Sequence, residues 1–123
     1  MSWLPKAWRN SREKGQHFEL LAQKYLTQQG LTPVARNYHC RYGELDLIMK
    51  EGQVWVFVEV KFRRHSSYGG ALHALSHTKQ QRLQRTIAHY VQQKGLAGCV
   101  LRADFVAIQG EKEPEFHWIK NVL

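Results

Sequence analysis

The stretch QVWVFVEVKF, residues 53–62, is the strongest strand signal in the chain, rich in β-branched and aromatic side chains. Side chains alternate along a strand, so Val54, Val56, Val58, Val60 and Phe62 share one face. Trp55, Phe57, Glu59 and Lys61 share the other. Both faces are apolar for most of the length, as in a central strand covered on both sides. An acid and a base then stand side by side at its end. Glu and Lys are rarely buried unless paired or liganded, so Glu59 and Lys61 mark a place that needs a chemical reason.

The preceding stretch, ELDLIMK (44–50), alternates and reads as a second strand, joined to the first by a tight turn at Glu51-Gly52. On that register position 50 pairs with 53, Ile48 opposes Trp55, Asp46 opposes Phe57, and Glu44 opposes Glu59. Asp46 then lies on the face of Glu59, one diagonal step away, roughly 7–8 Å at Cα. Carboxylates this close repel one another without a cation. A hard divalent ion such as Mg²⁺ or Mn²⁺ removes that cost through oxygen ligands. Lys61 projects to the same face and is placed to stabilise charge on a phosphate or to help deprotonate an attacking water. Glu44 shares the acidic face, either supporting the site or capping the turn. A plainer reading stands beside this one: Glu59 and Lys61 as a pair on a wet strand end, with Asp46 a turn-side acid. The spacing D-x12-E-x-K is by itself a loose pattern.

Outward from these strands the elements follow a regular order. Phe18, Leu21, Ala22, Tyr25 and Leu26 recur at helical spacing, so Ser11–Gln29 reads as a helix ended by Gly30, with Glu19 on the flank of its apolar face. Residues 31–40 read as a strand and 41–43 as a turn. Residues 63–76, with Gly69-Gly70, form a long connection of the kind that is usually functional or mobile. A second helix spans His77–Lys94, with Leu83, Ile87, Tyr90 and Val91 as its apolar stripe and Gly95 at its end. Its opposite side carries Arg82, Arg85 and His89, a polar stripe that tracks a backbone or is simply solvated. A strand at 98–109 and a short one at 115–120 complete the chain. The fold class is α/β, a mixed central sheet flanked by helices in the order α-β-β-β-α-β. Residues 1–10 read as a flexible arm and 11–123 as a single domain.

The chain has 18 Lys and Arg against 10 Asp and Glu, a net charge of +8. Such an excess favours a polyanionic partner through phosphate contacts and counterion release. Arg63, Arg64, Lys79 and Arg82 are the cations expected to bind nucleic acid, although Arg63 and Arg64 read equally as solvated charges after the site. No apolar run approaches the roughly 20 residues that a membrane helix needs, and the start lacks a secretory h-region. The expectation is a cytoplasmic protein without a membrane partner. Cys40 and Cys99 stand far apart and in no CxxC pattern, and read as two partly buried thiols. His65, His73 and His77 surround the long connection, but His73–His77 lies across a helix start, so a histidine metal cluster is disfavoured.

These residues carry a family resemblance. GELDLI (43–48) followed by FVEVKFR (57–63) resembles the small bacterial proteins of the YraN type, an uncharacterised family of predicted endonucleases. Those are similar in turn to archaeal Holliday-junction resolvases of the PD-(D/E)xK nuclease superfamily. The likeness extends through GQHFELLAQKYLTQQG (15–30), ARNYHCRYGELDLI (35–48), Lys79-Gln80 with Arg82-Leu83, and LRADFVAI (101–108). It implies a restriction-endonuclease-like core. It implies metal binding by Asp46 and Glu59, with the Val60 carbonyl, and catalysis by Lys61, with Glu19 as an accessory acid. It also implies DNA as partner, branched or damaged forms included, and a homodimer as in the resolvases. One departure is Arg102-Ala103-Asp104, where the pattern has an aromatic before the Asp. The resulting expectation is a Mg²⁺- or Mn²⁺-dependent endonuclease. Its rivals are a nucleic-acid binding module with weak or no catalysis, and an assembly or scaffold protein.

Overall fold

The fold is described from a computed structural model over residues 11–63 and 75–123. The expected arm at 1–10, Arg64, and most of the long connection, with His65, Tyr68, Gly69-Gly70 and His73, lie outside the described residues. The element order is α1 (Ser11–Gln28), β1 (Thr32–Cys40), β2 (Gly43–Glu51), β3 (Val54–Arg63), α2 (His77–Lys94), β4 (Leu101–Gln109) and β5 (Glu115–Ile119). This is the expected restriction-endonuclease-like order with β5 appended. The five strands form one sheet in the order β1-β2-β3-β4-β5. Pairing is antiparallel except between β3 and β4, which run parallel. The sheet is therefore mixed, and β3 lies at its centre. No described helix is long and apolar enough to cross a membrane.

The two faces of β3 feed two cores. Val56 and Val58 join Leu47, Met49, Val106 and Ile108 beneath Phe18, Ala22 and Leu26 of α1. Phe57 joins Leu45, Ile48 and Ala103 beneath Leu83, Ile87 and Tyr90 of α2. The α2 boundaries follow from its caps. The Ser76 hydroxyl accepts the Lys79 amide at 3.3 Å, and Gly95 takes the left-handed conformation (φ 67°) that ends the helix. The fourth strand starts at Leu101, later than expected, because Gly98 (φ 89°) and the Cys99 amide close a turn back onto the Leu96 carbonyl. Cys40 is half-buried, whereas Cys99 is exposed, against the expectation of two partly buried thiols.

The β2–β3 register corrects the expected one. The hairpin turns at Gly52-Gln53, Glu51 pairs with Val54, and the ladder runs through Ile48↔Phe57 to Leu47↔Val58. Gly52 supplies the positive φ of 61° that the turn needs. The shift is two residues, so every β3 side chain keeps its expected face. The pairings of Ile48 with Trp55 and of Glu44 with Glu59 do not occur.

Asp104, in β4, is fully buried and saturated with donors. Arg102 grips it through Nε and Nη2, both at 2.9 Å; the Trp118 indole N–H donates at 2.9 Å and the Asn121 amide at 3.0 Å. Arg102 also donates to Glu51 at 2.7 Å. This network ties β2, β4, β5 and the chain end together. Removing one partner of such a buried charged network leaves the other uncompensated. We predict that Asp104→Ala lowers unfolding free energy by about 3–5 kcal/mol, read by urea denaturation. A loss below about 1 kcal/mol, the scale of an exposed pair, would show the clamp to be ornamental.

Candidate metal centre

The site begins with a kink. Asn37 in β1 adopts a left-handed backbone (φ 55°), a conformation that Asn tolerates better than most residues. The β1–β2 ladder pairs Arg36 with Leu47 and Tyr38 with Leu45, and skips the step between them, where Asn37 would meet Asp46. The faces exchange across this step. Leu47 packs beneath α1, whereas Leu45, two residues earlier, packs beneath α2. Asp46 sits at the changeover.

Beside it the β2–β3 ladder stops at Leu47↔Val58. The next hydrogen bond between the strands is made by a side chain: the Val60 amide donates to Asp46 Oδ2 at 2.9 Å. A strand residue directs its N–H and C=O toward the same neighbour, so the Val60 carbonyl also faces this gap. Asp46 is therefore open to acids from both faces of the sheet. Glu19 approaches from α1 and Glu59 from β3, and both come within hydrogen-bonding reach of Asp46. Sequence spacing placed Asp46 one diagonal step from Glu59; continuing the observed register puts the two directly opposite.

The electrostatics follow from burial and crowding, which outweigh the opposing charges of Lys61 on Glu59 and of Arg36 on Glu19. Burial, and then the charge of Asp46, push the Glu59 carboxyl up to about 9 and that of Glu19 up to about 8. Asp46 is also raised by burial, although hydrogen bonds from the Val60 amide, Glu19 and Glu59 favour its charged form. The three acids share protons as a unit, and the donors converging on Asp46 make it the member that ionises first. Among the described residues, no three His, Cys, Asp or Glu side chains stand ready-made as a metal cage. The acids are turned toward one another. Glu19 Oε1 is nevertheless buried with no hydrogen-bond partner. An orphaned oxygen beside two carboxylates and a carbonyl is a hard donor set, which fits Mg²⁺ or Mn²⁺ and not a soft ion.

A cavity of about 430 Å³ opens from Glu59 toward α2. Glu59 and Lys61 line it from β3, Lys79 and Arg82 from α2, and Glu44 from β2. Glu44 is exposed and faces His39 at 3.3 Å, so it stands at the rim and not against Glu59. Arg63 ends β3 beside Gln109, outside the cavity wall. His77 begins α2 and contacts Gln81 at 3.2 Å. Thr86, in the same wall, went unread in the sequence; it is fully buried because its hydroxyl bonds back to the Arg82 carbonyl at 2.8 Å. A threonine inside a helical apolar stripe is its only sequence signal.

Residues 18–108 match the family described as Uncharacterised protein family UPF0102. A UPF0102 protein of Pseudoalteromonas translucida is 57% identical over the whole of both chains. One of Colwellia psychrerythraea is 44% identical over 93% of this chain and 91% of its own length. One of Neisseria gonorrhoeae is 44% identical over 93% and 97%.

The raised carboxyls set a pH dependence. Unfolded glutamates lose their protons near the ordinary value of 4.5, whereas folded Glu59 and Glu19 hold theirs to about 9 and 8. Between these limits the native state binds more protons, so stability falls as pH rises. Glu59→Gln keeps the shape and removes one titration. In chelator, we predict a shallower fall in melting temperature between pH 5 and 9 for this variant, and a higher melting temperature than wild type at about pH 8. Identical slopes would mean that Glu59 titrates normally.

Proposed function

The chain belongs to the uncharacterised protein family UPF0102, and on the geometry of its acid cluster we propose that it is a divalent-metal-dependent endonuclease acting on DNA. The observation that carries this reading is the meeting of Glu19, Asp46 and Glu59 from three elements, next to a cavity walled by Lys61, Lys79 and Arg82. Asp46 and Glu59 would hold a Mg²⁺ or Mn²⁺ ion together with the Val60 carbonyl, and Glu19 would be an accessory ligand. Such an ion, when bound, supplies Lewis acidity toward a phosphate and lowers the pKa of a coordinated water.

The chain's own residues do the rest. Lys61 presents its ammonium beside Glu59, where it neutralises charge gathering on a phosphate oxygen or holds the attacking water by a hydrogen bond. Lys79 and Arg82 face it across the cavity and hold the scissile phosphate. Arg63 continues the positive charge beyond the cavity toward flanking phosphates. Glu44, at the rim, bears on the acids through its charge, which favours their protonated forms. The net charge of +8 draws a polyanion to this surface. A homodimer suits branched DNA, which presents two equivalent strands.

The test is cleavage. Plasmid, single-stranded and four-way-junction DNA are incubated with Mg²⁺ or Mn²⁺, with and without chelator. Wild type is expected to cut at least one substrate only with metal. Asp46→Ala and Lys61→Ala are each expected to lower the rate by about a hundredfold or more, the scale of losing one charge-stabilising group. Cleavage unchanged in both variants would sink the mechanism, and binding of every substrate without cleavage would leave a nucleic-acid binding module.

A second, thermodynamic readout is independent of turnover. A cation that displaces shared protons binds more tightly as pH rises. Mn²⁺ should therefore raise the melting temperature of wild type more at about pH 8 than at about pH 6, and should not raise that of Asp46→Asn. Equal shifts in both proteins would place the ion elsewhere.

A further inference from the structure

The acid cavity does not end at Arg82. That side chain also bounds a second cavity of about 300 Å³, closed by Arg41, Tyr42 and Arg85. The second cavity shares Arg41, Tyr42 and Arg85 with a third, of about 520 Å³, which reaches His89. The three form one groove between the exposed side of α2 and the β1–β2 turn. We propose that this groove holds an unpaired nucleic-acid strand, with its phosphates on Arg82 and Arg85 and a base against the Arg41–Tyr42 pair. The proposal rests on the nuclease reading only in taking the polyanion at the acid cavity to be a nucleic acid.

Charge comes first. All ten acidic residues of the chain lie within the described residues. Arg41, Arg82 and Arg85 make no ion pair with any of them, although other surface cations do. All three arginines are exposed. Unpaired guanidiniums along one groove are a phosphate track. The helical rise of 1.5 Å per residue spreads Arg82, Arg85 and His89 over about 10 Å, the length of a few nucleotides.

The lining then selects the partner. Beside the arginines stand Gln81, Gln92, Gln93 and His89, and among the described residues Ala88 is the sole aliphatic side chain of the second and third cavities. The apolar core that a protein interface is built around is missing from this lining. A base needs a flat surface instead. The Arg41 guanidinium lies 4.9 Å from the Tyr42 ring centroid and donates to the Tyr42 hydroxyl at 2.6 Å. Two coupled planes, one aromatic and one cationic, stand at the edge of the groove. Bases inside a duplex are already stacked on each other, so only an unpaired nucleotide can use them.

The turn is built to sit this close to α2. Gly43 has φ 151°, and a Cβ there would meet Thr86 Oγ1 at 3.1 Å and Arg82 Cδ at 3.2 Å. Only a residue without a side chain lets Arg41 and Tyr42 lean over the helix. From the other side, the Tyr38 hydroxyl engages His89 Nδ1, which fixes the far wall.

The test measures binding in chelator, where turnover is suppressed. Fluorescence anisotropy compares a single-stranded oligonucleotide, a blunt duplex, and the same duplex with an unpaired tail. The tailed duplex should bind more tightly than the blunt one. Tyr42→Ala should weaken single-strand binding by about tenfold, the scale of one lost base stack, with little change for the blunt duplex. Arg85→Gln, at an exposed position, should weaken binding of the single strand and reduce its salt dependence by about 0.7 in log–log slope. Thermal melting checks that both variants fold. Equal affinity for tailed and blunt duplex, or unchanged affinity in both variants, overturns the proposal. Its failure is distinct from that of the nuclease reading. A chain that binds tails through Tyr42 but never cleaves keeps the groove, and one that cleaves with both variants binding as wild type loses it.

Discussion

Everything in the candidate site depends on one hydrogen bond, from the Val60 amide to Asp46 Oδ2. It replaces a ladder bond at the point where β2 and β3 stop pairing. A continuous ladder would put backbone against backbone there and leave no room for carboxylates between the strands. A side chain in the ladder holds the strands in register while keeping them apart. Through the resulting opening, an acid from α1 and an acid from β3 reach the same aspartate. The kink at Asn37 makes this geometry available, since it turns Asp46 out of strict alternation without breaking the hairpin.

The two buried aspartates of this sheet show what the arrangement lacks. Asp104 has a bidentate arginine and two further donors, and its charge is fully compensated inside the protein. Asp46 has one backbone donor, and its remaining neighbours are two more acids. Buried charge that its neighbours compensate only in part is costly, and here the acids respond by retaining protons. The same residue type thus serves β2 and β4 in opposite ways. At Asp104 the network is complete and gives rigidity. At Asp46 it is incomplete, and the proposed divalent ion would have the charge and hardness to complete it. Natural proteins concentrate such local destabilisation at functional sites.

The elements were legible because each has a strong local pattern. Val54 to Val60 alternate, Phe18 to Leu26 recur at helical spacing, and Gly30 and Gly95 close the helices. Glu59 and Lys61 stood out because charge interrupts an apolar strand. The register was misread by two residues, and the reason is general. Apolar alternation distinguishes odd from even shifts but is blind to a shift of two, so the faces were right while the partners were not. The Asn37 kink could not be read, because an asparagine in a strand announces a left-handed residue only weakly. The Asp104 clamp was equally hidden. Its donors come from Arg102, Trp118 and Asn121, whose convergence exists only once β4 and β5 pair. The groove along α2 was half visible, as the spacing of Arg82, Arg85 and His89, but Arg41 and Tyr42 joined it only through the fold.

The distribution of charge gives the proposed function its internal logic. A cluster of carboxylates repels phosphate, and a shell of unpaired arginines attracts it; in this chain Glu59 brings the cluster to the edge of a cavity system that meets the arginines at Arg82. Without a cation, protons on Glu19 and Glu59 already reduce the repulsion, but a proton offers phosphate far less than a divalent ion does. A metal and a nucleic-acid strand should therefore favour each other's binding. A divalent ion held by Asp46 and Glu59 would turn the cluster from a source of negative field to a neutral or positive one, and so would supply the charge that a phosphate meets there. By linkage, whatever tightens one must tighten the other to the same extent. The α2 arginines, which hold the strand without touching the acids, would then strengthen metal binding from a distance. Discrimination between substrates that fill the groove and those that do not would be expressed at the metal as well as at the strand.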